Sequence, residues 1–381
     1  MDIETIRKNV GDVSSRFSGE RNERQRRTAL VEADFAELRD AGFLLTGVPV
    51  EQGGVWESLH RSARPVCEIL RTLAHGDPSV ALVCAMHPTV LSLWLASPTA
   101  PPPVGEAWTA QRRWAFETAR DGAWWGTITS EPGSGGNIAR TKATARRRAD
   151  GTYLLTGQKQ FGSGSGITSY MMTTALPEGE TTPDLYVFDL RGVPWDGSTG
   201  VSLTAPWDGH GMRATQSHAL AFTDFPATRN AWPGSVLDLL AATGGFVPAA
   251  FTSVIVGIVE TAVETAREQV TRRRDSLSPY ERVEWAKAEM EGWLVQQAYE
   301  GMLRAVEEGK EGRRRATQAK IAIAELAERA TGRLCRVVGG GTFSRSSPLG
   351  YWYEDVRALG FLRPPWGLAY DNLLEWSWGA S

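Results

Sequence analysis

The spacing of apolar residues changes twice along this chain of 381 residues, and those two changes limit the fold more than any other feature. Over residues 1–118 the period is helical: Leu30, Val31, Phe35, Leu38 and Phe43 recur as one buried helix face requires. Gly42 can supply a left-handed cap to end that helix, and Pro49 and Gly53-Gly54 mark a loop. A second apolar run, Ser79 to Leu95, is interrupted by Pro88, and a Pro-rich connector follows at Ser97–Val104. From Trp124 the period becomes two. Tyr153, Leu155, Gly157, Lys159 and Phe161 fall on alternate positions. Tyr170–Ala175, Leu185–Leu190 and Ala219–Phe225 read as further strands, separated by turn residues, so an antiparallel barrel or sandwich is predicted. After residue 228 the helical period returns. Ile255, Val259, Ala262, Ala266 and Val270 form one stripe; Ile323, Leu326, Ala330, Leu334 and Val337 form another. Long helices with short connections predict an antiparallel bundle, whose stripes serve either an internal core or subunit packing. The predicted α+β layout is an N-terminal helical domain over 1–118, a β-domain over 119–227 and a helical bundle over 228–381.

A net charge of −3 gives no basic excess to hold nucleic acid, and the arginine clusters at 146–148, 272–274 and 313–315 read as solvated faces. The first residues form an amphipathic helix start without the apolar core of a signal peptide. Phe246–Val259 is short for a membrane span and carries Thr252, Ser253 and Gly257, so it reads as a buried helix. Cys67, Cys84 and Cys335 are too scattered for a metal site or a disulfide framework, and a reduced cytoplasmic setting is expected. The 15 tryptophans are the one anomaly of composition; most are expected in the core, and an aromatic-lined ligand pocket is the other use for them.

Four ordered segments resemble motifs of the acyl-CoA dehydrogenases: Leu38–Gly54 (LRDAGFLLTGVPVEQGG), Ser130–Asn137 (SEPGSGGN), Gly157–Gly166 (GQKQFGSGSG) and Asp208–Ser217 (DGHGMRATQS). A weaker fifth joins Val338–Thr342 (VGGGT) to Tyr353–Arg357 (YEDVR). The resemblance implies that family's fold, with a central β-barrel and a C-terminal four-helix bundle, a homotetramer, and a flavin, FAD or FMN, held between barrel and C-terminal helices. By motif position it implies Ser130, with Thr129 beside it, at the flavin's polar edge, Phe161 against the ring system and Ser163 beside N5. Arg213 either holds a flavin phosphate or pairs with an acid, and Gly339 and Gly340 match a cofactor-binding turn. Read without the resemblance, Ser130 and Ser163 are turn residues and Phe161 is barrel core.

The departures from the family pattern carry as much as the matches. The dehydrogenases remove the substrate α-proton with a carboxylate that usually lies eight residues after the Asp of the RDAR motif. Counting from Asp355 reaches Arg363, followed by Pro364-Pro365-Trp366. The other place where relatives carry this base, Gly244–Val256, contains no Asp or Glu. Losing a general base removes roughly 10²–10⁴-fold of rate. The motif's Ser-Asp pair is Gly136-Asn137 here. These features resemble a branch of two-component flavin monooxygenases, which take reduced flavin from a separate NAD(P)H-dependent reductase and insert one oxygen atom of O2 through a flavin C4a-hydroperoxide. On that resemblance the substrate is a small, aromatic or heterocyclic molecule, Ser163 and His87 are the catalytic candidates, and His210 and Trp366 are substrate contacts. His87 is read either as a proton-transfer group or as a satisfied core histidine; His60, His75 and His218 are read as structural. An acyl-CoA dehydrogenase with a displaced base, a non-catalytic paralogue and a plain oxidase stay open as alternatives. Neither nucleic acid nor membrane is expected as a partner.

Overall fold

A computed structural model describes residues 1–309 and 311–379. Six helices come first: α1 (Ile3–Gly19), α2 (Arg21–Arg24), α3 (Glu32–Asp40), α4 (Leu59–Gly76), α5 (Pro78–Leu95) and α6 (Gly105–Arg120). Seven strands follow: β1 (Trp125–Thr127), β2 (Thr144–Arg147), β3 (Tyr153–Gly162), β4 (Tyr170–Pro177), β5 (Asp184–Asp189), β6 (Val201–Ala205) and β7 (His218–Arg229). The chain then returns to helix in α7 (Val236–Ala242), α8 (Phe246–Thr271), α9 (Pro279–Glu308), α10 (Gly312–Val338), α11 (Pro348–Val356), α12 (Ala358–Phe361) and α13 (Trp366–Trp378).

Local sequence explains where the site-bearing helices begin. Asp77 caps α5 by accepting the Val80 N–H at 3.0 Å, with Pro78 at the first helical position, where its missing N–H costs nothing. The same Asp77 carboxylate and Asp34 receive the buried Arg24 guanidinium at 2.9 and 2.6 Å, tying α2, α3 and α5 together. A reciprocal capping box between Ser278 and Glu281 starts α9.

The strands close on themselves in the order β4-β2-β3-β7-β5-β4, with β1 on β4 and β6 on β7 as additions. Closure leaves the five central strands without a free edge. The expectation of a purely antiparallel sheet is corrected in two pairings. β2 and β4 run parallel, with Thr144 opposite Leu176, and so do β1 and β4, with Trp125 opposite Tyr170. The cause is the order of the chain. β2 and β3 form a hairpin, β4 reverses once more, and it then docks on the far edge of β2 in the same direction as β2.

One apolar core runs through both helical regions, and a second fills the barrel. The bundle is not self-contained: α8 packs on α4 and α5 as well as on α9 and α10. Gly257 permits this, because a Cβ there would lie 2.4 Å from the Arg71 carbonyl oxygen of α4. The two helices apolar enough to cross a membrane, α5 and α8, are buried over 89% and 72% of their most apolar windows, which accounts for their composition as core helices. Six of the 15 tryptophans are buried, and others pack against the core. Trp94, Trp108, Trp114, Trp125 and Trp232 form one chain of ring contacts between 5.4 and 6.4 Å. On α9, by contrast, Tyr280, Val283, Met290 and Trp293 are exposed along one face.

Candidate functional site

The turn that leaves β3 is held under strain. Phe161 has φ 62°, a left-handed conformation unfavourable for a side chain with a Cβ. Met212 (φ 50°) and Gln216 (φ 46°) share this conformation in the loop that faces the turn. Gly164 N–H donates to Thr215 O at 2.7 Å and pins the two segments together. Such clusters of strained backbone persist only where the surroundings over-determine them, and they concentrate at functional sites. The strain turns the Phe161 ring outwards: it is 54% exposed and meets the Trp207 ring edge-to-face at 6.2 Å. Reading it as barrel core is therefore excluded, and an open aromatic face is what remains.

Next to that face lies a line of hydroxyls. Ser163 Oγ is 2.8 Å from Ser217 Oγ, Ser217 Oγ is 2.7 Å from Thr215 Oγ1, and Thr215 Oγ1 donates to Met212 O at 2.9 Å. Each hydroxyl has one proton. A carbonyl cannot donate, so the Thr215 proton points at Met212 O. Ser217 must then donate to Thr215, and Ser163 must donate to Ser217. The chain leaves Ser163 Oγ with only lone pairs to offer anything outside it. With all three contacts made, this polarity follows, and it makes buried Ser163 an acceptor.

Ser130 sits beside this turn through an isolated bridge to Gln160, whose N–H donates to Ser130 O at 2.9 Å. Thr129 and Ser130 are both partly buried, and neither hydroxyl finds a protein partner among the described residues. The following Glu131 is fully engaged. Its carboxylate accepts the Lys142 and Ala143 N–H groups at 2.6 and 3.2 Å and the buried Lys159 ammonium at 2.6 Å. Lys159, predicted as an alternating strand position, thus points into the barrel; burial holds its pKa below the usual lysine range although Glu131 opposes that shift.

His87 is placed otherwise than a proton-transfer group requires. It has no exposure; its Nε2–H donates to Leu44 O at 2.9 Å and its Nδ1 accepts the Trp125 N–H at 3.2 Å. Both ring nitrogens are spent on backbone, and the ring lies edge-on to Trp124 at 5.6 Å. The satisfied core histidine is the reading that fits. Burial pushes its pKa down to about 4. In the unfolded chain the imidazole takes up a proton as pH falls through about 6.5, while in the fold it resists until about 4. Its contribution to stability is therefore complete above pH 6.5 and is lost as pH falls from there to 4, up to about 3 kcal/mol. Asp355, pushed up to about 7 by burial, acts with the opposite sign over the same range but is common to both proteins compared. Urea midpoints of wild type and His87→Gln at pH 7 and pH 4.5 are expected to converge at the lower pH. Equal separation at both would remove His87 from this account.

The remaining candidates scatter. Arg213 lies over the Tyr351 ring at 5.9 Å, near Asp355, whose carboxylate accepts the Met212 N–H at 2.5 Å. His210 is exposed in the loop before the hydroxyl line. Gly339 (φ 100°) and Gly340 follow α10 with nothing within 4 Å of a notional Cβ. Trp366 covers Gly360 and stacks on Tyr370 at 6.2 Å. The segment before it reaches the Ser130 loop: Arg363 donates to Gly136 O at 2.7 Å. Sequence reasoning missed Thr215, Ser217 and Trp207 as parts of the site. The first two stood inside the DGHGMRATQS motif, where attention fell on its histidine and arginine, and only the fold sets them against Ser163.

Comparison with known proteins fits this arrangement. The acyl-CoA dehydrogenase middle-domain model matches residues 126–225 and the C-terminal-domain model matches 248–363, together more than half of the chain. The dibenzothiophene monooxygenase of Mycolicibacterium goodii is 30% identical over 267 residues, which are 64% of this chain and 60% of that protein. The chain thus matches less than two thirds of that relative's length. The amino sugar nitrososynthase DnmZ of Streptomyces peucetius is 28% identical over 355 residues, 87% of this chain and 82% of that one. Among solved structures, FMN-bound TdsC from Paenibacillus sp. A11-2 is 19% identical with a TM-score of 0.81, covering 99% of this chain and 98% of that one, which speaks to the fold alone. The two domain matches, in order and on the observed barrel and helices, place the chain in the acyl-CoA dehydrogenase family.

Proposed function

We propose that the chain is a flavin-dependent monooxygenase that takes reduced flavin, FMN or FAD, from a separate reductase and transfers oxygen from O2 to a small organic substrate. The observation that carries this reading is the polarity of the hydroxyl line. Oxidised flavin presents a bare N5 that needs a donor, whereas reduced flavin presents N5–H, which needs an acceptor. Ser163 Oγ, its own proton engaged by Ser217, can only accept. The residues fit a flavin in other respects: Phe161 offers an open aromatic face, and Thr129 and Ser130 offer hydroxyls without protein partners among the described residues. Reduced flavin, when bound, supplies the two electrons that activate O2. The chain's own part is to hold the N5 proton at Ser163 and to keep water from the ring.

Oxidation of acyl thioesters is disfavoured by the same site. Arg363, a cation, stands where the dehydrogenases' carboxylate is counted. Among the described residues near the turn, Glu131 is tied to Lys159 and two amides, and Asp355 is buried against Met212 N–H. Neither of these two carboxylates is free to take an α-proton. The exposed apolar face of α9 is the surface on which copies of the chain assemble as a tetramer in this reading; a light-scattering mass of one chain at micromolar concentration would refute that part.

Rapid mixing of protein and reduced FMN with O2 is the direct test. The protein is expected to delay the return of oxidised-flavin absorbance relative to free reduced FMN, and acyl-CoAs are expected to leave bound oxidised flavin unreduced. Reoxidation at the free-flavin rate, or bleaching by an acyl-CoA, would sink the reading.

A further inference from the structure

Buried cations in this fold are paired as a rule. Arg24 sits on Asp34 and Asp77, Lys159 on Glu131, and Arg229 on Asp184 and Glu180. Two cations that meet the segment 363–365, one on it and one on α10, break the rule. Arg363 is partly buried, donates once, from Nη1 to Gly136 O, and has no acid partner among the described residues. Lys320 of α10 is 0% exposed, donates to Pro364 O at 2.7 Å, and likewise lacks an acid. Arg21 and Arg112 also lack acids, but each gives its donors to two protein oxygens; Arg213 lacks an ion pair too, but it lies over the Tyr351 ring within electrostatic reach of Asp355. Arg363 gives to one, and the rest of its five N–H donors have no protein acceptor among the described residues.

The segment is pressed into place. A Cβ on Gly136 (φ 78°) would lie 2.7 Å from Cγ of Pro365, so the chain from Arg363 to Pro365 rests directly on the loop that follows Ser130. The Lys320 ammonium fixes the Pro364 carbonyl from behind. A guanidinium partly withdrawn from water with most of its donors unmatched costs free energy unless a bound anion offsets it, and the acid within reach, Glu131, is already taken by Lys159, whose pKa the Arg363 charge helps to lower. Burial accordingly draws the pKa of Arg363 down to about 10 and that of Lys320 to about 7. The planar guanidinium keeps its charge at neutral pH and offers the paired donors that a two-oxygen anion matches.

We propose that Arg363, on the segment whose Pro364 carbonyl Lys320 holds, is an oxyanion subsite that binds the carboxylate or sulfinate group of an organic substrate beside the Ser130 loop. This rests on the monooxygenase reading for the word substrate, but not for the binding itself. It narrows the expected aromatic or heterocyclic substrate to one bearing an acidic group, and it explains why the position carries Arg rather than a neutral residue.

Calorimetric titration of the flavin-free protein with benzoate, benzenesulfinate and neutral benzamide tests the subsite. Either oxyanion is expected to bind at least about tenfold more tightly than benzamide, as a charge-assisted pair of hydrogen bonds allows. Arg363→Gln is expected to reduce that preference to under about twofold, and Arg363→Lys, which keeps the charge without the planar fork, to retain part of it. Lys320→Met, which removes only the contact to the Pro364 carbonyl, is expected to weaken both oxyanions less than Arg363→Gln does. Equal affinities in wild type, no measurable binding of either oxyanion at millimolar concentration, or a preference that survives Arg363→Gln would overturn the proposal. Titrating FMN and riboflavin into the same variants separates the other source of an oxyanion. If Arg363→Gln weakens FMN but not riboflavin, the cation belongs to the cofactor phosphate and the substrate subsite is wrong. Because no flavin is present in the oxyanion titrations, their outcome is independent of whether reduced flavin is held as proposed.

Discussion

Glu131→Ala is expected to lower the stability of the fold by about 3–5 kcal/mol, the cost of leaving a buried charge without its partner. In wild type the Glu131 carboxylate takes three donors: the Lys142 and Ala143 amides and the Lys159 ammonium. Removing it strands all three, and Lys159 keeps only the oxygens of Thr174, at 2.5 Å to the carbonyl and 3.4 Å to the hydroxyl. The reverse change is milder by the same count. Lys159→Met leaves a carboxylate still held by two amides, so its cost is expected to be less than half that of Glu131→Ala. The double variant is expected to recover much of the Glu131→Ala loss, since the stranded ammonium is gone and only the two amides remain unsatisfied. Urea unfolding of the three variants measures this. A Lys159→Met as damaging as Glu131→Ala would show that the lysine, not the carboxylate, organises the loop. Because Glu131 follows Ser130 directly, the loop that carries the proposed flavin contact is expected to loosen with the fold, and flavin retention should fall in the same order.

That pairing also shows how far the residues could be read before the fold was in view. The switch from period 3.6 to period 2 and back marked the helical, strand and helical regions, because burial on one face writes itself into the spacing. Lys159 on an alternating position announced a strand but not its partner; a buried lysine on a strand face demands an acid, and only the closed barrel shows that Glu131, 28 positions away, supplies it. The parallel placement of β4 on β2 was equally out of reach, since register between distant strands leaves no local trace. Ser130, Phe161 and Ser163 stood in motifs and come together on one turn. His87 had two readings that sequence could not separate, because what decides between them is whether Leu44 O and Trp125 N–H meet its ring nitrogens. Ser217 and Thr215 carry no signal as single residues; their meaning lies in a count of protons along a line of oxygens, which needs distances.

The same count predicts the largest functional effect. Ser163→Ala is expected to bind reduced flavin and consume O2 while releasing peroxide in place of oxygenated product, because the hydroxyl proposed to accept the N5 proton is lost. One neutral hydrogen bond contributes about 0.5–1.5 kcal/mol, so coupling is expected to fall by up to about tenfold, and further if the pocket is dry, where an unmade bond costs more. Ser217→Ala distinguishes a true acceptor role from a packing one. It leaves the Ser163 hydroxyl in place but frees its proton, which can then be donated. Oxidised flavin, which needs a donor at N5, is expected to bind Ser217→Ala more tightly than it binds wild type, while reduced flavin binds more weakly; Ser163→Ala is expected to lower the affinity for reduced flavin without raising that for oxidised flavin. Thr215→Val is expected to follow Ser217→Ala in direction with a smaller change, since Ser217 can then turn its own proton either way. Fluorescence titration with oxidised FMN and anaerobic titration with reduced FMN read these shifts without any turnover. If Ser217→Ala changes the two affinities in the same direction, the hydroxyl line does not set the polarity of Ser163. If Ser163→Ala stays fully coupled, with product equal to O2 consumed, Ser163 is a turn residue and the acceptor for N5 lies elsewhere.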